Sequence, residues 1–360
     1  MASVFDYLDW RGDITFGEVS LGEVDSLILS AICYVDFEGI VPSGFGEKPI
    51  TLINAARSYL RAHKGEKVYI GAILPPAILT LLAKAAKTQR CGGIRLIGYI
   101  NNIDKETQTQ FCALSFLLDD GSLYVAYRGT DDTLVGWKEN FNMSFMEAVP
   151  AQLAAVDYLD SASKLTEGNI IVGGHSKGGN LAVYATVKCS AETNEKIIKS
   201  YSNDGPGFSK TFIEGEDYQR TKHKIKTLIP QSSVVGLLLE HEETYEVVKS
   251  NEVGLMQHDP FSWEVLGGGF IKMDSITEES RSIDQKLKAW LSEMDPKQRE
   301  EFVDAVYETL SATNATTLTD INTDKIKLIK AWGNLSDENK AIVTKSIKLL
   351  LKESTRKKKN

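Results

Sequence analysis

Hydrophobic spacing divides this chain into regions of different period. Up to about residue 92 it is helical: Leu27, Ile28, Ala31 and Ile32 share one face, and further amphipathic or apolar runs cover 50–62 and 77–86, with Pro75-Pro76 between them. From Ile94 the period shortens. Residues 94–100, 110–118 and 123–127 read as strands joined by turns at Asn101-Asn102 and Asp119-Asp120-Gly121, so an antiparallel meander precedes the first crossover. Helix and strand then alternate, with a helix at 151–164, strands near 170–172, 198–203, 225–229 and 245–248, and a helix at 181–188. That alternation predicts strand–helix–strand units and parallel pairing.

Beyond about 276 the pattern is again helical and strongly charged. Ile283, Leu287, Trp290, Leu291 and Met294 keep helical spacing. Asp295-Pro296 reads as the N-cap and first residue of a helix carrying Phe302, Val303, Val306 and Leu310. A last helix is expected to start at Ser336 and bury Ile342, Val343, Ile347 and Leu350, after a Thr- and Asn-rich loop at 311–324. The default use of these apolar stripes is a small helical bundle; a cover over the active site and a partner surface are the other two.

The composition fits an ordinary soluble protein: 360 residues, 42% hydrophobic and 25% charged, with a net charge of −8. That charge argues against nucleic acid as the main partner, and the basic run at 356–359 reads as a solvated tail. No basic start followed by an apolar stretch marks a signal peptide, and no uncharged apolar run reaches the roughly 18 residues of a membrane span. Cys33, Cys91, Cys112 and Cys189 are scattered without metal-like spacing, which points to buried thiols and a cytoplasmic location. Oligomeric state stays open.

Chemistry concentrates at 169–184, NIIVGGHSKGGNLAVY. A short β-branched run enters Gly174-x-Ser176-x-Gly178 and leaves into small and apolar residues. The pattern thus sits between a strand and a helix, where a tight turn strains the serine backbone and excludes side chains two residues to either side. The following N–H groups then lie at the positive end of a helix, where an oxyanion would form. A glycine-rich turn with an incidental serine is the competing reading.

A serine hydroxyl needs a base, and the base needs an orienting acid. His175 is locked inside the turn, and His63 and His223 sit among lysines. His258, in the stiff segment Gln257-His258-Asp259-Pro260, is preferred over His241, which stands among glutamates and reads as a solvated turn. Asp204, within NDGPGF after the next strand, is the favoured acid; Asp259 and Glu240 are its rivals, and a turn aspartate bonded to its own backbone is the bland alternative. The order Ser176, Asp204, His258 is that of α/β-hydrolases. The expected fold is therefore α/β: an α/β-hydrolase-type, mostly parallel sheet flanked by helices over 1–275, with an N-terminal helical layer at 1–92 and a catalytic core at 93–275. A helical C-terminal region at 276–360 completes the chain.

Residues YRGTDD, with GWKENF downstream, and GGHSKGGNLAVYA resemble class 3, fungal-type lipases over about 90–265, in an uncharacterised bacterial branch that SNDGPGF and MQHDPFSW also match. The resemblance implies Ser176 as nucleophile, His258 as base, and Thr130 and the Lys177 N–H as oxyanion contributors. Two departures stand out. Where those lipases bear their aspartate this chain has Pro230-Gln231-Ser232-Ser233, so Asp204 has taken the role from the preceding strand or the triad is incomplete. Lys177 replaces the usual leucine, which predicts a more polar entrance and argues against long-chain triglyceride. The expectation is a serine hydrolase acting on a small-molecule acyl ester, with thioesters and amides open and no cofactor or metal required. A catalytically idle hydrolase fold used for binding is the alternative.

Overall fold

The computed structural model describes residues 2–64, 77–131, 133–311, 332–333 and 340–344. Pro75-Pro76, the segment 312–324, the cap at Ser336, Ile347, Leu350 and the basic run at 356–359 lie outside them.

Among the described residues nine strands form the main sheet, in the order β1 (Ile50–Thr51), β2 (Arg95–Asp104), β3 (Thr109–Leu117), β4 (Leu123–Tyr127), β5 (Ile170–His175), β6 (Ile197–Asn203), β7 (Ile225–Pro230), β8 (Tyr245–Val248) and β11 (Lys272–Met273). A separate hairpin pairs β9 (Val265–Leu266) with β10 (Gly269–Phe270). From β4 to β8 the four pairings are parallel. The four remaining pairings, β1 to β4 and β8 with β11, are antiparallel. The expectation of a mostly parallel sheet is thus corrected to a mixed one. The longer strands pair in the expected directions, and the two further antiparallel pairings come from β1 and β11, two-residue edge strands that carry no pattern of their own.

The meander also differs in one turn. Asn101 and Asn102 are strand residues paired with Cys112 and Phe111, and the reversal comes after Asp104, where Gln108 takes a φ of 55°. Gly98, at φ 73° beside the irregularity between Ile97 and Ile100, absorbs a bulge that lets β2 run on.

Helices cover both faces. On one side lie α1 (Val4–Arg11), α2 (Glu23–Ile32), α3 (Leu52–Ala62), α4 (Ala77–Ala85) and α5 (Gln89–Gly92), and on this side Leu114, Tyr124, Ala126 and Ile171 of the sheet join their core. Every residue of α2 is buried, and its Ser26 and Ser30 hydroxyls meet the Tyr124 hydroxyl of β4 at 2.9 and 2.8 Å. The opposite face buries Leu123, Val125, Tyr127, Ile170 and Val172 against Ala155 and Leu159 of α7 (Pro150–Ala162) and Leu181 and Ala185 of α8 (Lys177–Lys188). Central strands buried on both faces lose the alternation of a half-exposed strand and read as apolar runs.

Before α7, α6 (Leu134–Asn142) leaves the end of β4. Three short helices, α9 (Ala191–Lys196), α10 (Lys210–Glu214) and α11 (Glu216–Thr221), fill the later crossovers. The charged tail folds as α12 (Glu278–Ser292) and α13 (Pro296–Ser311), and Asp295 caps the latter by accepting from the Gln298 N–H at 2.9 Å. Neither helix stands apart: from α12 the Ser280 hydroxyl donates to the Ser233 carbonyl. Arg299 donates to the Ser144 carbonyl at 2.7 Å, and Lys138 of α6 pairs with Asp304 at 2.8 Å. Of the three uses open to these stripes, the cover is the one their contacts favour: Leu287, Trp290, Phe302 and Val303 line one cavity with Ser176 and Pro206, beyond the ends of β5 and β6. Among the described residues no helix is long and apolar enough to cross a membrane.

Candidate active site

The strand β5, fully buried, runs directly into Ser176, and α8 starts at the next residue. Ser176 has φ 57° and ψ −133°, a left-handed conformation costly for a residue with a Cβ. Glycines make that turn possible. A Cβ on Gly174 would lie 2.1 Å from the Gly178 carbonyl carbon, and one on Gly178 would lie 2.1 Å from the Tyr127 carbonyl oxygen. The neighbouring strand secures the turn, since the Ser176 N–H donates to the Asn203 carbonyl at 2.9 Å and the Asn203 amide returns a bond to the Gly174 carbonyl at 3.0 Å.

Asp204 follows β6 and is also left-handed, with φ 50°. Its side chain is fully buried. Oδ2 lies 2.6 Å from His258 Nδ1; Oδ1 accepts from the Ser233 hydroxyl at 2.5 Å and the Gly236 N–H at 3.1 Å. With a carboxylate as acceptor, Nδ1 carries the proton and Nε2 is left basic. Gly236 is needed for the close approach, because a Cβ there would stand 2.3 Å from Asp204 Oδ1. Asp259, by contrast, caps its own turn by accepting from the Phe261 N–H at 2.9 Å, and burial holds its carboxyl above the usual range. Glu240 is a surface group 3.7 Å from Lys288.

His258 ends the short turn Gly254–His258. Its backbone carbonyl accepts from His175 Nε2 at 2.9 Å, and the two rings lie 4.6 Å apart. His175 is entirely buried, and desolvation holds its pKa well below the ordinary histidine value. A neutral ring that donates through Nε2 keeps Nδ1 as an acceptor, and the Tyr34 hydroxyl stands 3.4 Å from it. The loop is clamped again by the Trp263 indole N–H on the Gln257 carbonyl at 3.0 Å and by the Gln257 side-chain oxygen, which accepts from the Ser232 N–H at 2.7 Å.

Thr130 is buried beyond the end of β4, and its hydroxyl oxygen accepts from the Asn140 amide at 2.5 Å, which leaves its own proton to donate. The preceding Gly129 lies against the end of β5: a Cβ there would meet the Tyr34 hydroxyl at 2.1 Å, the His175 carbonyl at 2.6 Å and Ser176 Cβ at 3.1 Å.

Ser176, Lys177 and His258 share the wall of one cavity of about 360 Å³; Asp204 stands behind His258, and Thr130 lies outside the lining. The rest of the wall is mainly apolar, with Trp137 and Phe141 from α6, Leu255 and Met256 from the His258 loop, and Trp290 and Phe302 from α12 and α13. The expected polar entrance is overturned. The Lys177 side chain is fully enclosed and turns away from the cavity to meet Glu139 at 2.8 Å. Arg299 spends its guanidinium on the Leu291, Met294 and Ser144 carbonyls.

His241 is not the solvated turn its glutamate neighbours suggested. Its ring is nearly enclosed, with Nδ1 3.0 Å from the buried Glu243 carboxylate. The mutual positions of Ser176, Asp204 and His258 follow from strand ends that the sequence marks. His175, at the end of β5, and Ser233 and Gly236, after β7, carry no signal of their own, since what they touch is brought by other segments of the chain. The apolar stripes of α12 and α13 were visible, though not the cavity they face.

A site with a strained serine, a histidine with its Nδ1 on a carboxylate, and an apolar chamber can activate a hydroxyl and receive an uncharged acyl group. The model of the Mbeg1-like family matches residues 85–308. Similar solved structures include the Rhizomucor miehei lipase–propeptide complex, 13% identical with a TM-score of 0.37 over 63% of this chain and 67% of that one. A fungal lipase–inhibitor complex is 12% identical with a TM-score of 0.36, over 62% of this chain and 76% of the other. M37 lipase is 15% identical with a TM-score of 0.32, over 59% and 68%. No curated protein gives a significant match.

Proposed function

The chain belongs to the Mbeg1-like family, and from that premise we propose that it is a serine hydrolase that cleaves neutral esters of apolar acyl groups. The observation that carries this reading is the 2.6 Å contact of His258 Nδ1 with Asp204, beside a left-handed Ser176 in the same cavity wall.

In the proposed reaction His258 Nε2 takes the Ser176 proton as Oγ attacks the acyl carbon. Asp204 stabilises the imidazolium and fixes its tautomer. Negative charge on the carbonyl oxygen is met by the Lys177 N–H at the start of α8 and by Thr130. His258 returns the proton to the leaving alcohol, and water repeats the sequence on the acyl-enzyme with His258 again as base. The substrate class is argued from the wall: Lys177 and Arg299 are engaged internally, and mainly apolar side chains surround the remaining space.

The test is hydrolysis of p-nitrophenyl butyrate together with labelling by a fluorophosphonate. Wild-type protein should do both, and Ser176→Ala neither, at unchanged thermal stability. A folded wild-type chain that does not label would favour the idle, binding use of the fold.

A further inference from the structure

Beneath the nucleophile turn lies a buried polar cluster that the reaction does not touch. Lys177, whose backbone N–H is the proposed oxyanion donor on α8, sends its ammonium to the Gln110 carbonyl at 2.6 Å, Gln110 Oε1 at 2.7 Å and Glu139 Oε2 at 2.8 Å. Three acceptors meet the three donors of the ammonium. Glu139, with no exposed surface, also accepts from the Gln110 N–H at 3.0 Å and, through its other oxygen, from the Ala151 N–H that opens α7 at 2.9 Å. The same Gln110 amide that accepts from Lys177 donates through Nε2 to the Gly129 carbonyl at 3.4 Å. Gly129 precedes Thr130, and Asn140, the residue after Glu139 on α6, holds the Thr130 hydroxyl at 2.5 Å.

Burying an ion pair costs desolvation that apolar side chains of the same volume would avoid, so such a pair contributes little to stability. What it does supply is geometry, because a satisfied buried network has few alternative arrangements. The two arms of the proposed oxyanion site come from different elements, the start of α8 and the end of β4, with no bond of the chain between them. Gln110 joins them through one side chain, and α6 grips both through consecutive residues.

We propose that the Gln110–Lys177–Glu139 cluster sets the spacing of the oxyanion donors, with Gln110 and Glu139 as positioning residues. The inference rests on the hydrolase reading above. Its consequence is confined to the charged transition state: donors that drift apart bind the tetrahedral oxyanion less well and leave ground-state binding intact.

Two variants test it. Gln110→Met keeps the shape and removes both bridging atoms. The double change Lys177→Met with Glu139→Gln removes both charges together, so neither is left buried alone. Each is assayed for kcat and KM on p-nitrophenyl butyrate, for the affinity of phenylboronic acid, whose serine adduct is a tetrahedral anion, and for Tm. The expected result is a kcat about tenfold to a hundredfold lower, set against the roughly 10²–10³-fold that deleting a donor costs, with KM unchanged and boronate affinity reduced by the same factor. The pH profile should not move, because His258 and Asp204 are untouched. Should the double variant not fold, Gln110→Met decides. A folded Gln110→Met protein with wild-type kcat and boronate affinity overturns the proposal while leaving the hydrolase reading in place. A wild-type chain inactive toward the ester and unlabelled at Ser176 overturns both.

Discussion

The Ser233 hydroxyl donates to Asp204 Oδ1 across 2.5 Å, so the loop after β7 supports an acid carried by the loop after β6. On the proposed reading, a serine from the loop after β7 fixes the second oxygen of the acid. Asp204→Asn should therefore lower kcat on the order of 10³–10⁴-fold, with the histidine left in the wrong tautomer. Ser233→Ala should cost about tenfold, the scale of one hydrogen bond to a charged group. Ester assays on both proteins check this. An Asp204→Asn enzyme within tenfold of wild type would move the acid elsewhere.

Gly129→Ala is expected to abolish labelling of Ser176 or to prevent folding. The added methyl falls 2.1 Å from the Tyr34 hydroxyl and 2.6 Å from the His175 carbonyl, and only the first neighbour is a side chain that can be cut back. Adding Tyr34→Phe should restore little, since the His175 carbonyl is backbone. Full recovery in the double variant would show that the carbonyl contact is relieved by a small shift.

Much of this arrangement was readable in the residues, for reasons that also explain what was not. The turn around Ser176 is local: glycines at 174 and 178 and a β-branched approach specify it within one window. Asp204 and His258 stand out because strands announce their ends with polar loops. The direction of the Lys177 side chain is not legible locally, because it depends on what waits for it, and Glu139 lies 38 residues upstream. The burial of His241 is hidden for the same reason: its neighbour Glu243 is drawn inward by Thr227 and Tyr218 from other elements. The direction of β8 and β11 is a pairing property that neither strand contains alone.

Glu243 makes acid stability a test of that inward cluster. Burial by itself would raise its pKa, yet hydrogen bonds from His241, Thr227 and Tyr218 hold it at about 2, below the ordinary 4.5. A carboxyl depressed in the folded state stabilises the protein above its unfolded pKa, and that contribution is lost as pH falls from about 4.5 toward 2. Glu243→Gln should thus lower Tm at pH 7 and converge on wild type across that window. A Tm difference independent of pH would mean the carboxylate charge contributes nothing there.

In the N-terminal layer, Arg90 grips Asp25 with two bonds of 2.7 Å, and the side chains are 0% and 2% exposed. Arg90→Met leaves Asp25 buried without its cation and should destabilise the fold by about 3–5 kcal/mol. Pairing it with Asp25→Leu should recover part of the loss, because no charge is then buried alone, while the Ile14, Thr15 and Val19 carbonyls and the Tyr7 hydroxyl still lose a partner. Denaturant titration of the three proteins measures both steps. A single variant costing under about 1 kcal/mol, in the range of exposed pairs, would place this contact among solvent-screened ones.

The last prediction concerns the cover. Trp290 of α12 and Phe302 of α13 pack edge to face at 5.5 Å, and both line the cavity that holds Ser176 and His258. If acyl groups extend toward that pair, the two side chains limit chain length. Trp290→Ala should shift the optimum of a p-nitrophenyl ester series to longer acyl groups. Val303→Phe should narrow the same space and penalise the longest esters by about tenfold or more in kcat/KM, the scale of one methylene that no longer fits. Butyrate hydrolysis should change little in either protein, which separates a shortened chamber from a damaged nucleophile. An unaltered chain-length profile in both folded variants would mean that the acyl group leaves the site by another route and that α12 and α13 only cover it.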